Sequence, residues 1–284
     1  MEINKINNIE DVKELNYSEL VGLLKERNKP SGGLKSIVEV SNVCRLTKGD
    51  KILEIGSNTG FTSVNLALLN KDVEVTGIDI NSNSVNESTN FAKLNHIDEN
   101  VSFMVQNSEK LNFIDNEFNL VWSSNVTSFI SNKKKAVEEY LRVLDFGGYL
   151  ILIPIYYIKT PSSELLDKVS KAINSKIDIR TKSDWINFFY KTANNSKNCY
   201  LEKIYEKDYV YNEQTSKRMD EYCNEILDNS DLNFTTEINN EIFKKYVEHM
   251  NLFNDNLQHC GYSIIIFQKR HIKDESELFL SREV

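Results

Sequence analysis

The 284-residue sequence predicts an α/β fold: a doubly wound, seven-stranded, mostly parallel sheet whose last strand runs antiparallel, with helices N-terminal to it and a helical insertion before the last strand. Three observations predict it. Between Lys51 and Ile155 short β-branched runs alternate with helical patterns. The strand runs are apolar at nearly every position, as strands buried on both faces require. The first run ends in a glycine-bearing turn, Gly56-Ser57-Asn58-Thr59-Gly60, that leads straight into a helix.

Taken in order, residues 1–30 read as helical, with Ser18 as a cap and Leu20, Leu23 and Leu24 on one face. Asn28 to Gly33 breaks the pattern, and a helix with Leu34, Ile37, Val38 and Val43 follows. Strands are expected at Lys51–Ile55, Val73–Ile80, Val101–Val105, Leu120–Ser123 and Tyr149–Ile155. Helices are expected at Thr62–Leu69, Ser84–Leu94 and Lys134–Leu144, the last ended by Gly147-Gly148. Glu164–Ile173 and Ser183–Thr192 read as helices, Tyr200–Tyr211 as a long strand and Tyr262–Phe267 as the final one. Between these strands lies an acidic stretch, 213–258, with ten Asp or Glu against four Lys or Arg and two amphipathic helices. The organisation is thus an N-terminal helical segment (1–46), a core (47–212 and 259–272) and an insertion (213–258). The tail from His271 reads as polar and loose.

Composition sets limits. Residues are 40% hydrophobic and 27% charged, ordinary for a soluble globular chain. The net charge of −8 argues against a broad nucleic-acid face and against docking on an anionic membrane. The longest apolar stretch, Tyr149–Ile158, is half of the roughly 20 residues a membrane span needs. With no apolar run near Met1, a cytoplasmic location is expected. Four scattered cysteines without a C-x-x-C pair point to reduced, buried thiols and no metal site.

The chemistry sits in the first strand and its turn. The pattern Glu54-x-Gly56-x-x-x-Gly60 lacks the Lys-Ser/Thr of a nucleotide phosphate loop and the third glycine of a dinucleotide fingerprint. A carboxylate at the strand end would repel a pyrophosphate and attract a ligand with an ammonium group. Asp79, 25 residues on at the end of the second strand, suits both hydroxyls of a ribose. Asn107 and Ser108, past the third strand, suit an adenine edge.

These segments together resemble the class I (Rossmann-like) S-adenosylmethionine-dependent methyltransferases from about Gly49 to Ile155. They are Leu53-Glu54-Ile55-Gly56-Ser57-Asn58-Thr59-Gly60, Gly77-Ile78-Asp79, Asn107-Ser108-Glu109-Lys110-Leu111, Phe118-Asn119-Leu120-Val121 and Arg142 to Gly148. The resemblance implies S-adenosylmethionine as cofactor and a role for each position. Glu54 would face the methionine ammonium. Gly56, Ser57, Asn58, Thr59 and Gly60 would line the methionine and ribose. Asp79 would bind the ribose hydroxyls and Ile80 would pack on the adenine. Asn107 and Ser108 would meet the adenine edge, and Ser123 to Asn125 would sit near the methionine end and the substrate. Two positions depart from the family: Asn58 stands where a glycine is common, and Asn107 where Asp is common.

The acceptor is expected to be a small molecule, from the acidic charge and the lid-like insertion. The alternatives are a tRNA, protein or peptide acceptor, or a cofactor-binding regulatory protein without turnover. Candidate catalytic side chains are His249, Tyr156 and Tyr157; Tyr17 is a candidate to close over the cofactor. The insertion is expected to act as a lid or as an oligomerisation surface, for example in a homodimer.

Overall fold

The computed structural model describes residues 6–177, 179–196, 199–230 and 232–271. Its centre is β1 (Lys51–Ile55), whose residues Ile52 to Ile55 are all buried. Alternation sends Ile52 and Glu54 to one face of the sheet and Leu53 and Ile55 to the other. Parallel to β1 lie β2 (Glu74–Asp79) on one side and β4 (Phe118–Ser124) on the other. β3 (Val101–Val105) continues past β2, and β5 (Leu144–Ile153) past β4, both parallel. β8 (Cys260–Arg270) runs antiparallel to β5, and β7 (Tyr200–Val210) antiparallel to β8.

The sheet has eight strands where seven were expected, because Pro154 splits one. It has no N–H to give the ladder, so β5 stops at Ile153 and a short β6 (Ile155–Tyr157) resumes against the same partner, β8. The chain order across the sheet is β3-β2-β1-β4-β5-β8, with β7 outermost. The order reverses at β1/β4, the switch point where open α/β sheets take their ligands.

Helices α3 (Leu34–Cys44), α4 (Phe61–Leu69) and α5 (Ser82–Leu94) accompany the face of Ile52, Leu120, Trp122 and Ile151. Helices α6 (Lys133–Val143) and α8 (Lys182–Asn194) cover the opposite face, packing on Leu53, Ile55, Val121 and Leu150. Between them in sequence lies α7 (Ser163–Ala172), which packs on a later helix. α6 passes into β5 at Leu144 without a turn, three residues before the Gly147 expected to end it. The paired strand shifts register between Phe118 and Leu120, and this irregularity absorbs Asp145 to Gly148 inside β5.

A third core lies outside the sheet. The N-terminal stretch forms two short helices rather than one, α1 (Ile9–Glu14) and α2 (Tyr17–Leu23). Each begins with a reciprocal capping box, Asn8 with Asp11 and Asn16 with Glu19. The cap of α2 is therefore Asn16, and Ser18 lies within the first turn. The insertion contributes α9 (Ser216–Asp228) and α10 (Thr236–Leu257). Val12, Leu15, Leu20, Leu23 and Leu24 pack with Cys223, Ile238, Ile242 and Tyr246, so four helices from both ends of the chain share one core. β7 ends at Val210 opposite Gly261, level with Tyr156. The insertion therefore leaves and rejoins the sheet at the carboxyl ends of the parallel strands. The expected loose tail beyond His271 lies outside the described residues.

All four cysteines are free and buried. Among the described residues no helix is long and apolar enough to cross a membrane, and no His/Cys/Asp/Glu group is arranged to hold a metal.

Candidate functional site

Glu54 is 4% exposed at the end of β1, level with Trp122 of β4. Its Oε2 accepts from the backbone N–H of Ser63 (3.0 Å) and from the Ser63 hydroxyl (2.5 Å), in the first turn of α4. Burial pushes its carboxyl up to about 7, against the lowering effect of the bonds from Ser63 and Thr62. The folded protein thus holds a proton here that the unfolded chain releases near 4.5. The cofactor-free protein is expected to lose stability as pH rises from about 4.5 through 7. An ammonium partner favours the ionised form, so cofactor affinity should rise with pH between about 6 and 8, with proton release on binding. Calorimetry in two buffers of different ionisation enthalpy would read the released proton. A Glu54→Gln protein should show neither the release nor the slope.

The turn after Glu54 carries three left-handed residues: Gly56 (φ 70°), Asn58 (φ 44°) and Gly60 (φ 84°). At Gly56 a methyl group would lie 2.4 Å from Val126 Cγ2, and at Gly60 2.8 Å from Ser88 Cβ. Only glycine lets the turn pass between these side chains. Asn58 fills its left-handed position with the non-glycine residue best suited to it. The departure from glycine at 58 is therefore conformationally mild. Asn58→Gly should leave stability within about 1 kcal/mol, whereas Asn58→Val should cost about 1–2 kcal/mol, read from urea midpoints.

Backbone bonds draw the scattered site residues together. Ser57 N–H donates to Ile78 O (2.9 Å), and Gln106 N–H to Asp79 O (3.0 Å). Asp79 is aimed by two amides: Asn58 N–H donates to Oδ2 (3.0 Å) and Asn81 N–H to Oδ1 (2.9 Å). The next residue, Ile80, is 76% exposed, an apolar side chain offered to solvent at a strand end. Asn107 is exposed, and its Oδ1 accepts from Glu109 N–H (2.8 Å). Ser108 is buried. Ser123 lies apart. It pairs with Ile55, on the sheet face opposite Glu54, and its hydroxyl is hydrogen-bonded to the Thr127 hydroxyl (2.8 Å). With Asn125, Thr127, Leu152, Trp185 and Phe189 it lines a narrow crevice above α8.

The candidate catalytic groups each have a partner. Tyr156 OH bonds Ser263 Oγ (2.8 Å), which donates to Asp208 (2.6 Å). Tyr157 OH donates to Asn256 Oδ1 (3.0 Å), and burial pushes it up to about 12, so it stays protonated at neutral pH. His249 Nδ1 meets the Lys245 carbonyl (2.8 Å), which can only accept, so that nitrogen carries the proton. Its ring stacks on Tyr17, whose other neighbour is Phe253. Tyr17 and His249 thus sit together in the four-helix core.

Sequence reasoning missed two contacts. Arg27 Nη1 donates to the Thr59 carbonyl (3.2 Å), and Asn28 N–H to Thr59 Oγ1 (3.3 Å). Arg27 reads as part of the N-terminal helical stretch and Asn28 as the start of its breaker; nothing local in the sequence points them at the turn.

The donor set suits a nucleoside with an amino acid tail. A preordered carboxylate stands beside an exposed apolar side chain, with a buried carboxylate two residues before a glycine turn.

A family model described as a methyltransferase domain matches residues 46–218. An uncharacterized protein of Haemophilus influenzae is 26% identical over 182 residues, 63% of this chain and 72% of its own length. A ubiquinone/menaquinone biosynthesis C-methyltransferase of Pseudomonas paraeruginosa is 31% identical over 148 residues, 50% of this chain and 56% of the relative. The chain thus spans little more than half of that second relative. Among solved structures, MccD protein shares the fold over 86% of this chain and all of its own, at TM-score 0.72 and 21% identity. A Haemonchus contortus phosphoethanolamine N-methyltransferase 2, in complex with phosphomonomethylethanolamine and S-adenosylhomocysteine, covers 93% of this chain with 61% of its own at TM-score 0.64 and 15% identity. The sheet order, the turn after β1 and the matched domain agree: this chain belongs to the class I S-adenosylmethionine-dependent methyltransferases.

Proposed function

We propose that the chain transfers the methyl group of S-adenosylmethionine to a small-molecule acceptor beneath a lid made from α1, α2, α9 and α10. The observation that carries this reading is the shared core of α1, α2, α9 and α10, which joins the two segments into one body at the carboxyl ends of the parallel strands. The acidic charge of the insertion and the overall −8 speak against a polynucleotide acceptor. The C-methyltransferase relative is named for quinone biosynthesis, a small-molecule task.

In this reading Glu54, Gly56 to Gly60, Asp79, Ile80, Asn107 and Ser108 hold the cofactor. Ionised Glu54 neutralises the methionine ammonium, and Asp79 accepts from both ribose hydroxyls. Ile80 covers one adenine face. The sulfonium supplies an activated methyl whose transfer to a nucleophile leaves the thioether. What remains for the chain is alignment of the acceptor and exclusion of water. Tyr156, Tyr157 and His249 shape and brace the lid side, and no proton need pass through them.

The test is incubation of the protein with methyl-labelled S-adenosylmethionine and a cell extract split into small molecules, RNA and protein. Label in the small-molecule fraction is expected. Label confined to RNA or protein would overturn the acceptor class, and label in none would overturn turnover itself.

A further inference from the structure

Three consecutive residues join the four-helix body to the turn after β1. The chain reverses at Lys25 (φ 52°) after α2. Glu26 then turns toward the insertion: its carboxylate accepts from Tyr222 OH of α9 (2.5 Å) and from Tyr246 OH of α10 (2.6 Å). Both phenols are raised well above their ordinary value, first by burial and then by Glu26 itself, so both remain donors. Arg27 turns the other way. Its guanidinium lies 3.6 Å from the centroid of the Phe91 ring on α5 while Nη1 holds the Thr59 carbonyl. Asn28 adds a second bond to Thr59. The helix bearing Phe91 begins just after Asp79, and its Ser88 abuts Gly60. One planar cation therefore spans the turn and the helix that flank the adenosine position, and its neighbour in sequence is gripped by two helices of the lid.

We propose that Arg27 is a positioning residue for the cofactor turn, held in register by the Glu26–Tyr222–Tyr246 grip, so that the lid and cofactor sites are energetically coupled. The proposal rests on the reading that the Glu54–Gly60 turn and Asp79 hold the cofactor. Lysine at 27 keeps the charge and one donor but loses the plane that bridges Thr59 and Phe91. Among the described residues the two tyrosines make no hydrogen bond to the turn or to Asp79; their link to the turn runs through Glu26 and its neighbour Arg27.

The test is S-adenosylhomocysteine affinity by calorimetry for a set of variants, each with its urea midpoint. Arg27→Ala should weaken binding about tenfold or more, the scale of one lost charged hydrogen bond. Arg27→Lys should fall between that and wild type. The pair Tyr222→Phe with Tyr246→Phe should weaken binding about threefold to fivefold, and adding it to Arg27→Ala should cost nothing further, because coupled losses do not add. If Arg27→Ala fails to fold, Arg27→Lys combined with the tyrosine pair carries the same comparison. Binding by Arg27→Ala within about twofold of wild type, or losses that simply add, would overturn the proposal while an Asp79→Ala control still binds weakly. An Asp79→Ala protein that binds like wild type would overturn the site assignment, and the proposal with it.

Discussion

Asp79→Ala should lower the affinity for S-adenosylmethionine by about a hundredfold or more, as two bonds to a charged acceptor at about 1.5–3 kcal/mol each are lost. The structure explains why this carboxylate is ready for the task. Its two oxygens already accept from Asn58 and Asn81 N–H groups, which fix the rotamer and leave lone pairs directed outward. Removing it also strips Asn58 of its acceptor and loosens the turn. Asp79→Asn retains one acceptor oxygen and should lie between the two. Because Asp79 is only half-buried, the cofactor-free protein should melt close to wild type, and the loss should appear chiefly in the cofactor-induced rise of the melting temperature.

Gly56→Ala is expected to be the most damaging small substitution in the turn. The residue sits at φ 70°, a conformation that costs an L side chain about 1–2 kcal/mol. Its new methyl would lie 2.4 Å from Val126 Cγ2, and such overpacking costs about 1–3 kcal/mol more. The urea midpoint should therefore fall by the equivalent of roughly 2–5 kcal/mol, the sum of those ranges. Val126 offers a way to separate the two contributions. In Gly56→Ala with Val126→Ala the clash is relieved and only the backbone strain remains, so the double variant should regain part of the midpoint. A double variant no better than Gly56→Ala would show that the strain, not the contact, explains the glycine.

The sheet was legible because buried parallel strands leave uninterrupted apolar runs, and β1 and β4 fall where those runs do. Glu54 was legible because a carboxylate inside such a run needs a reason. What escaped was set by tertiary geometry. Pro154 reads as one residue of a strand, yet it divides the ladder into β5 and β6. Asn8 and Asn16, with acids three residues on, did carry a capping signal, but the apolar pattern nearer Ser18 drew the start of the helix there. Tyr156 and Tyr157 follow the fifth expected strand as candidate catalytic groups, and their hydroxyls bond Ser263 and Asn256, about a hundred residues away. Lys269 lies two residues past the expected end of the final strand. It is 3% exposed and donates to the carbonyls of Leu141 and Leu144 at the close of α6. Arg27 belongs to the same class: only the folded chain brings it to Thr59.

The most direct measurement is a crystal structure of the protein with S-adenosylhomocysteine bound. The ribose hydroxyls should lie within hydrogen-bonding distance of the Asp79 carboxylate, with the adenine against Ile80 and the homocysteine ammonium on the Glu54 side of the Gly56–Gly60 turn. A nucleoside bound elsewhere, or one whose ribose makes no contact with Asp79, would contradict the account.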